Sequence, residues 1–343
     1  MNLPPEPAVR ETDPGVSKHL LTRMPILILH VHSSCNCRCV MCDIWKTTEG
    51  RSLRPQELTA QIPSIRKLGV EWVVFSGGEP LLNPDFPALC AMLHQERIRT
   101  TLLTTGLLLR RHARSVADSF DDVTISLDGP QDVHNAIRRV PGAYGVISEG
   151  IAAVRAIRPA ISIRARTTVQ SANFRFLRAT VESARALGLD GISFLAADLT
   201  SEAFNRPSGW TAARQHEVAL SAQDLPGLER EIESLIEQFA AEIHSGFIAE
   251  SPGKLRRIVR HFRAYLGLEC PRSPACNAPW VSAVIEADGS ARPCFFHRSF
   301  GNIHRGDLEE AVNGESALEF RASLNVSADA TCNRCVCSLN YRD

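Results

Sequence analysis

The feature that most constrains the fold of this chain is a repeated alternation of short β-rich runs with stretches of helical spacing, from residue 26 to about residue 200. Nearly continuous apolar strands separated by helices indicate a parallel sheet that is covered by helices. Six such units are too few for a complete eight-stranded barrel, so the sequence predicts an α/β fold with a partial, TIM-like (β/α)6 barrel. The predicted strands are "ILILHVH" (26–32), "EWVVFSG" (71–77), "IRTTLLTT" (98–105), "DDVTISL" (121–127), "ISIRARTTV" (161–169) and "GISFLAA" (191–197).

Changes in composition predict four regions. Residues 1–23 are rich in Pro and charge and predict a flexible N-terminal arm, after which the barrel is expected at 24–200. Residues 201–268 begin as a polar loop and continue with helical spacing, which predicts a helical linker region. Residues 269–343 are irregular and rich in Cys, Asn and Gly, with one hairpin predicted at Asp288-Gly289. This last region is expected to be a small Cys-rich domain.

Composition excludes several classes of protein. The 343 residues are 44% hydrophobic and 22% charged with a formal net charge of +0, so no nucleic-acid or membrane partner is expected. The apolar stretch "PILILHV" is too short to span a bilayer and lacks the flanks of a signal peptide. A cytoplasmic location is therefore expected. Eleven cysteines in such a chain argue against a disulfide scaffold and favour metal centres.

Unusual residues follow four successive predicted strands. A group of four cysteines follows the first strand, "SGGEP" the second, "TTG" the third and "SLDG" the fourth. The carboxyl ends of parallel strands lie at one edge of the sheet, where such folds bind their ligands. The sequence therefore predicts an active site at this edge.

The first cysteine group contains a metal-binding pattern. Cys35, Cys39 and Cys42 form C-x3-C-x2-C, whereas structural zinc sites use four ligands. Three thiolates suit a [4Fe–4S] cluster that keeps one iron open to a substrate or cosubstrate. Cys37 breaks this spacing and is expected to be a small loop residue.

This triplet, on the loop after the first strand, resembles the motif of the radical S-adenosylmethionine (SAM) superfamily. The resemblance implies that the three cysteines hold a [4Fe–4S] cluster whose fourth iron is chelated by the amino and carboxylate groups of SAM. It also implies that Gly77, Gly78 and Glu79 of "GGEP" bind the methionyl ammonium group. Further SAM contacts implied are Ser126 and Asp128 with the ribose and carboxylate, Thr104 and Thr105 at the third strand, Arg164 or Arg166 with the carboxylate or substrate, and Leu195 against adenine. Ordinary core or turn roles stay open for this later group.

The C-terminal cysteines form a second pattern. Cys276, Gly289 and Cys294 have the spacing C-x12-G-x4-C, which resembles the opening of the SPASM and twitch extensions of radical SAM enzymes. "CNRCVC" adds Cys332 and Cys335, which completes four ligands for one auxiliary [4Fe–4S] cluster. Too few cysteines remain for a second set, so a twitch-type, single-cluster domain is expected. A zinc ribbon is the alternative, since four cysteines also suit zinc.

Besides Cys37, three cysteines stay outside both sets. Cys270 and Cys337 can replace a ligand, remain inert, or donate a hydrogen atom near the substrate, and Cys90 stands alone. A basic helix near residues 252–266 can face a phosphate or a carboxylate, or simply solvent.

The resemblance implies a radical SAM oxidoreductase that cleaves SAM to a 5′-deoxyadenosyl radical, abstracts hydrogen from its substrate and oxidises it with the auxiliary cluster. A flavodoxin or ferredoxin is the expected reductant. The short arm before the first strand favours a small natural product such as a sugar, aminocyclitol or nucleoside over a peptide. An epimerase, a decarboxylase, a peptide-modifying maturase and a non-catalytic iron–sulfur or zinc protein are the alternatives.

Overall fold

The computed structural model describes residues 19–342, which form one mixed sheet of nine strands with helices around it. The strands lie in the order β6-β5-β4-β3-β2-β1-β7-β8-β9. Neighbouring strands from β1 to β6 are parallel, and the sheet does not close on itself, so the predicted partial barrel is confirmed. The strands are β1 (Ile26–His32), β2 (Trp72–Gly77), β3 (Arg99–Thr104), β4 (Asp122–Ser126), β5 (Ser162–Val169), β6 (Gly191–Ala196), β7 (Ser282–Ile285), β8 (Ser290–Arg292) and β9 (Gly301–Asn302).

The helices follow the strands in the expected alternation up to β6. They are α1 (Pro55–Thr59), α2 (Ile62–Lys67), α3 (Phe86–Gln95), α4 (Ala113–Ser119), α5 (Gln131–Arg138), α6 (Ala143–Ile157), α7 (Leu177–Ala186), α8 (Ala212–Val218), α9 (Leu225–Gln238), α10 (Ala240–His244), α11 (Pro252–Tyr265), α12 (Ala278–Val281), α13 (Leu308–Asn313), α14 (Glu315–Ser323) and α15 (Ala330–Asn333). Among these 15 helices of residues 19–342, none is long and apolar enough to cross a membrane.

The two faces of the sheet have different partners. Side chains alternate between the faces of a strand, so β5 directs Ile163 and Ala165 to the buried outer core and Arg164 and Arg166 to the inner face. The outer face packs against the helices in one large apolar core. The inner face has a smaller apolar cluster near β1 and β7 and is polar along β5. This leaves room for a ligand inside the open barrel.

The predicted C-terminal hairpin is part of the barrel sheet. β7 pairs in parallel with β1, from Ile26 opposite Ser282 to Leu29 opposite Ile285, and β8 then pairs antiparallel with β7. Gly289 at the turn has φ +82, a left-handed conformation that glycine adopts without strain. The Cys-rich region therefore continues the sheet beyond β1, instead of forming a separate layer.

The other regions are also bound to the barrel. The region predicted as a helical linker is helical, and its helix α11 packs against β6 at the open edge of the sheet. His19 and Leu21 hydrogen-bond to Arg321 and Asn313 of the C-terminal region, so residues 19–21 are held in place and differ from the predicted loose arm. Residues 1–18 of that predicted arm lie outside the described residues.

Candidate active site and metal centres

The loop after β1 brings its four cysteines to the carboxyl edge of the sheet. Cys37 and Cys39 are 1% and 6% exposed, and Cys35 and Cys42 are half-buried. Cys39 and Cys42 lie close enough to Cys35 to contribute, after burial, to raising the pKa of its thiol to about 12. Cys37 packs into the apolar core together with Cys39, and its expected role as a small loop residue stays a prediction.

The spacing of these sulfur atoms argues against a single metal ion. Zn–S bonds of about 2.3 Å would hold tetrahedral thiolates about 4 Å apart. Among residues 19–342, one group of three metal-ligating residues has all its ligand atoms within 4.8 Å of one another, namely His297, Asp329 and Cys332. This group contains none of the loop cysteines. Thiolates bound to different irons of a cubane lie further apart than those on one ion. The donor set of Cys35, Cys39 and Cys42 therefore fits a [4Fe–4S] cluster.

The two glycines after β2 allow the backbone to approach the cysteine loop. The amide of Gly78 donates to the carbonyl of His32 and the amide of Glu79 to that of Ser34, both at 2.9 Å. A Cβ on Gly78 would lie 2.0 Å from the Ser34 oxygen, and one on Gly77 would lie 2.4 Å from the His32 oxygen. Only glycine permits this approach. The predicted residues Gly77 and Gly78 thus fix the position of the loop.

Glu79 has several partners within the protein. Its side chain is 0% exposed and accepts hydrogen bonds from the hydroxyls of Thr104 and Thr105 and the amides of Thr105 and Leu81, at 2.6–3.1 Å. Burial raises its pKa, and these hydrogen bonds oppose the rise. Glu79 thereby joins the ends of β2 and β3, and its contact with the ammonium group of SAM stays a prediction.

Asp128 is also buried, and its contact with SAM stays a prediction. It is 0% exposed, forms an ion pair with Arg138 at 2.6 Å, and accepts from the amide of Thr168 at 3.0 Å. Arg138 in turn places a guanidinium nitrogen 3.5 Å from Cys39 Sγ. Asp128 therefore positions the arginine that contacts a predicted cluster ligand. The sequence analysis missed Arg138, because a lone arginine on an unpredicted helix gives no signal.

His134 supports the same ion pair. Its Nδ1 accepts a hydrogen bond from the amide of Asp128 at 3.2 Å, and its ring packs edge-on against Tyr144. Burial, together with the positive charge of Arg138, lowers the pKa of His134 to about 4. The ring is therefore neutral at physiological pH, as the hydrogen bond to Nδ1 requires.

The polar loop after β6 holds the other side of the cysteine loop. Arg206 is buried, pairs with Asp198 at 2.8 Å, and donates to the carbonyl of Met41 at 2.7 Å. Its guanidinium stacks on Trp210, whose indole N–H donates to Asp43 at 2.7 Å. These contacts fix the backbone between the cysteines. No local sequence pattern indicates the contacts with the cysteine loop, because Arg206 and Met41 lie 165 residues apart in the chain.

The remaining predicted SAM contacts differ in position. Ser126 and Arg166 are opposite each other in the register of β4 and β5, at the inner face, and Leu195 lies on β6 near them. Arg164 lies one layer nearer the amino ends of the strands, and its guanidinium donates to the Gly246 carbonyl at 2.6 Å. Of the two arginines, Arg166 therefore lies nearer the predicted site.

The auxiliary cysteines line a small apolar cavity of about 80 Å³ under the C-terminal region. Five thiols border it, one more than a [4Fe–4S] cluster requires. They are Cys276, Cys294, Cys332, Cys335 and Cys337. As in the first group, no three of these sulfurs lie within 4.8 Å of one another among the described residues, whereas Cys332 lies within that distance of His297 and Asp329.

His297 lies beside one of these thiols. Its Nε2 is 3.4 Å from Cys332 Sγ and 3.6 Å from an oxygen of Asp329, whose carboxylate also accepts from the amide of Cys332. Hydrogen bonds to ligand sulfurs help to set the potential of an iron–sulfur cluster. The sequence analysis missed His297, although it lies three residues after Cys294.

A second, larger cavity of about 590 Å³ lies between β6, α11 and the C-terminal cysteine region. Arg166 and Leu195 line it from the inner face of the sheet, and Arg257 of α11 lines it from the open edge. Cys335 and Cys337 border both this cavity and the small apolar one. Cys270, the other predicted hydrogen donor, is exposed and also lines the large cavity. This is the size of pocket that holds a small-molecule ligand.

A partial parallel barrel with three thiolates on its β1 loop and a second thiol group at its edge defines a class of iron–sulfur enzymes that use SAM. Comparison with family models agrees. Residues 29–168 match the radical SAM superfamily, and residues 276–336 match the SPASM iron–sulfur cluster-binding domain. The chain therefore belongs to the radical SAM superfamily and carries a SPASM domain. It uses SAM and [4Fe–4S] clusters.

Several proteins are similar over most of the chain. An Fe-coproporphyrin III synthase of Methanosarcina barkeri is 25% identical over 93% of this chain and 84% of its own length. A PqqA peptide cyclase of Granulibacter bethesdensis is 24% identical over 85% of this chain and 75% of its own. The crystal structure of Streptococcus suis SuiB bound to S-adenosylmethionine superposes with a TM-score of 0.63 at 15% identity, covering 94% of this chain and 75% of SuiB. This last likeness shows a shared fold.

Proposed function

We propose that this radical SAM enzyme removes hydrogen from a small molecule bound in the large cavity and then oxidises it with the help of one auxiliary [4Fe–4S] cluster. The observation that carries this proposal is the lining of the cavity. Arg166 and Leu195 belong to the barrel, whereas Cys335 and Cys337 belong to the SPASM region. A substrate bound there would lie between the SAM-binding edge and the auxiliary cysteines.

The chemistry is a two-electron oxidation. When bound, SAM and the cluster at Cys35, Cys39 and Cys42 supply a carbon-centred radical, and the auxiliary cluster supplies an electron acceptor. A substrate C–H bond breaks, and its hydrogen atom ends in 5′-deoxyadenosine. The substrate then gives up one electron to the acceptor and one proton to solvent. The electron that initiates SAM cleavage comes from an external reductant, for which we propose a cytoplasmic flavodoxin or ferredoxin.

The chain's own residues position the reacting groups. Arg138, Arg206 and the glycine pair at the end of β2 fix the cysteine loop from three sides. Leu195 and Ile258 supply apolar surface to the cavity, and α11 packs against β6 at its side. We keep Cys276, Cys294, Cys332 and Cys335 as the proposed auxiliary ligands, which leaves Cys337 as a fifth thiol. The division into regions 24–200, 201–268 and 269–343 also stays a proposal.

The substrate class follows from the cavity and from one relative. The sequence suggests a sugar, an aminocyclitol or a nucleoside, and an enclosed cavity of about 590 Å³ agrees with a small molecule in general. The Methanosarcina barkeri relative is named as an Fe-coproporphyrin III synthase. We therefore add a tetrapyrrole to these classes as the first compound to test.

A peptide substrate is the second candidate. The similarity to a PqqA peptide cyclase over 85% of the chain favours it. The two candidates differ in a simple assay, because only a true substrate transfers its own hydrogen into 5′-deoxyadenosine.

The experiment is an anaerobic turnover with SAM, reductant and deuterated candidates from each class. The expected result is deuterium in 5′-deoxyadenosine and a product two mass units lighter than the protonated substrate. The double variant Cys276→Ala/Cys294→Ala is expected to keep SAM cleavage and lose this product, because its electron acceptor is removed. The same product in equal amount from this variant would contradict the proposal.

Solvent deuterium separates oxidation from epimerisation. A thiol donor such as Cys337 or Cys270 exchanges its proton with water. In D₂O it would therefore transfer deuterium to the inverted carbon. Oxidation adds no hydrogen at that carbon. A product that carries one solvent deuterium at a carbon of inverted stereochemistry would therefore contradict the proposed oxidation and indicate epimerisation.

A further inference from the structure

The basic helix α11 has two faces with different partners. On the outer face, Arg256 pairs with Glu233 at 2.6 Å and Arg263 with Glu229 at 2.5 Å, both from α9. The inner face directs three further cations, Lys254, Arg257 and Arg260, into the large cavity. Among the described residues, none of these three has a carboxylate within 4.0 Å; Arg257 donates instead to the Val336 carbonyl at 3.3 Å. The helix thus presents unpaired positive charge to the cavity.

Other elements add to this charge. Arg166 reaches the cavity from β5, where its side chain donates to the hydroxyl of Ser193 at 3.3 Å. Arg272 and Arg334 line the cavity from the C-terminal region. The cavity is thus lined by six cations and by two carboxylates, Glu250 and Glu269.

The two carboxylates are already engaged. Glu250 accepts from the amide of Phe194 at 2.8 Å, and Glu269 lies 3.8 Å from Arg263. Burial raises the pKa of Glu250, while the charges of Arg166 and Lys254 oppose the rise. Five of these six cations are exposed and Arg257 is half-buried, so their charges lie at the solvent-facing wall of the cavity. The excess of positive charge along this wall attracts an anion.

We propose that the substrate carries at least two carboxylate groups, which Arg166 on β5 and Lys254, Arg257 and Arg260 on α11 bind. This inference rests on the proposed function, because it uses the same cavity as the substrate site. Arginine binds carboxylates through two parallel hydrogen bonds, which fixes orientation as well as position. An aminocyclitol, which is a cation, is repelled by this lining.

The distribution of charge favours carboxylates over phosphate. Phosphate sites in proteins typically concentrate backbone amides at a glycine-rich loop or a helix N-terminus. Here the cations come from four separate segments, and apolar side chains such as Ile258 and Leu195 lie between them. Separated cations with an apolar surface between them match an apolar body that carries several acidic side chains.

The test measures binding to the anaerobic holoenzyme without reductant, so it does not depend on turnover. The probes are coproporphyrin III, which has four carboxylates, and its uncharged tetramethyl ester, followed by absorbance or fluorescence. The acid is expected to bind at least about tenfold more tightly than the ester. Arg166→Gln and Arg257→Gln are each expected to weaken binding of the acid by about tenfold or more, since each removes a charged hydrogen-bond donor.

Arg256→Gln is the matched control, because it removes the same charge one residue away on the outer face of α11. It is expected to leave binding of the acid unchanged. Iron content and thermal unfolding of each variant confirm that the fold is intact. Equal binding of acid and ester, an equal loss in Arg256→Gln, or displacement of the acid by equimolar ADP would overturn the carboxylate site. A failure of product formation with intact binding would instead contradict the proposed function.

Discussion

At the scale of single residues, the site depends on groups that hold the cysteine loop and do not themselves bind iron. Glu79 and Asp128 are both 0% exposed, and each accepts hydrogen bonds from neighbouring groups of the protein. The residue types and their places after β2 and β4 could be predicted from the sequence. Their burial could not, because it depends on partners such as Thr105 and Arg138 from other elements.

Gly78→Ala is expected to displace the cysteine loop, because the new Cβ would lie 2.0 Å from the Ser34 oxygen. A displacement of about 1 Å near reacting groups can reduce the rate about 100-fold. Formation of 5′-deoxyadenosine should fall by that order, with loss of iron from the first cluster. Gly145→Ala on α6 is the control, since nothing lies within 4 Å of its added Cβ. Full activity in Gly78→Ala would show that the close approach is not required.

At the scale of elements, α5 links the end of β4 to the cysteine loop. Its His134 accepts from the amide of Asp128, and its last residue, Arg138, contacts Cys39. The backbone carbonyls of Ile137 and Arg138 also accept from Val40 and Arg38 of the loop. The sequence analysis did not predict this helix, because its eight residues are fewer than the stretch of about 11 or more over which helical periodicity is recognised.

His134 predicts a pH dependence of stability. Its pKa is lowered from 6.5 to about 4 in the folded protein, so the unfolded state binds the proton more readily between these values. The contribution of neutral His134 to the free energy of unfolding is fully present above about pH 6.5. Up to about 3 kcal/mol of this free energy is lost as the pH falls to about 4. Denaturant unfolding at several pH values measures this loss.

His134→Asn is the informative variant, because its amide oxygen can still accept from Asp128 but does not titrate in this range. The pH dependence of its unfolding free energy is expected to be smaller than that of the native protein. An unchanged dependence would assign the acid sensitivity to other groups.

At the scale of the whole molecule, the barrel and the auxiliary region share one sheet. The alternating strands and the two cysteine sets could be predicted, because strand periodicity and ligand spacing are local in sequence. The pairing of β7 with β1 could not, since it joins residues about 250 positions apart and no local pattern specifies the neighbour. The large cavity follows from this pairing together with α11, and so does the sorting of the basic helix into two faces.

Two sets of cysteines predict two clusters. Fully reconstituted protein is expected to contain about eight irons per chain, and Ala at Cys35, Cys39 and Cys42 together should leave about half of them. Iron and acid-labile sulfide analysis measures both values. A native protein that contains about four irons and bound zinc would show that the C-terminal cysteines hold zinc instead of an auxiliary cluster.

The most direct test of the account is the amount of 5′-deoxyadenosine formed from SAM under anaerobic reducing conditions. The native protein is expected to form it, and the Cys276→Ala/Cys294→Ala variant should form it as well. The variant with Ala at Cys35, Cys39 and Cys42 should form none. Formation by this triple variant, or none by fully reconstituted native protein, would contradict the assignment of SAM cleavage to the cysteine loop after β1.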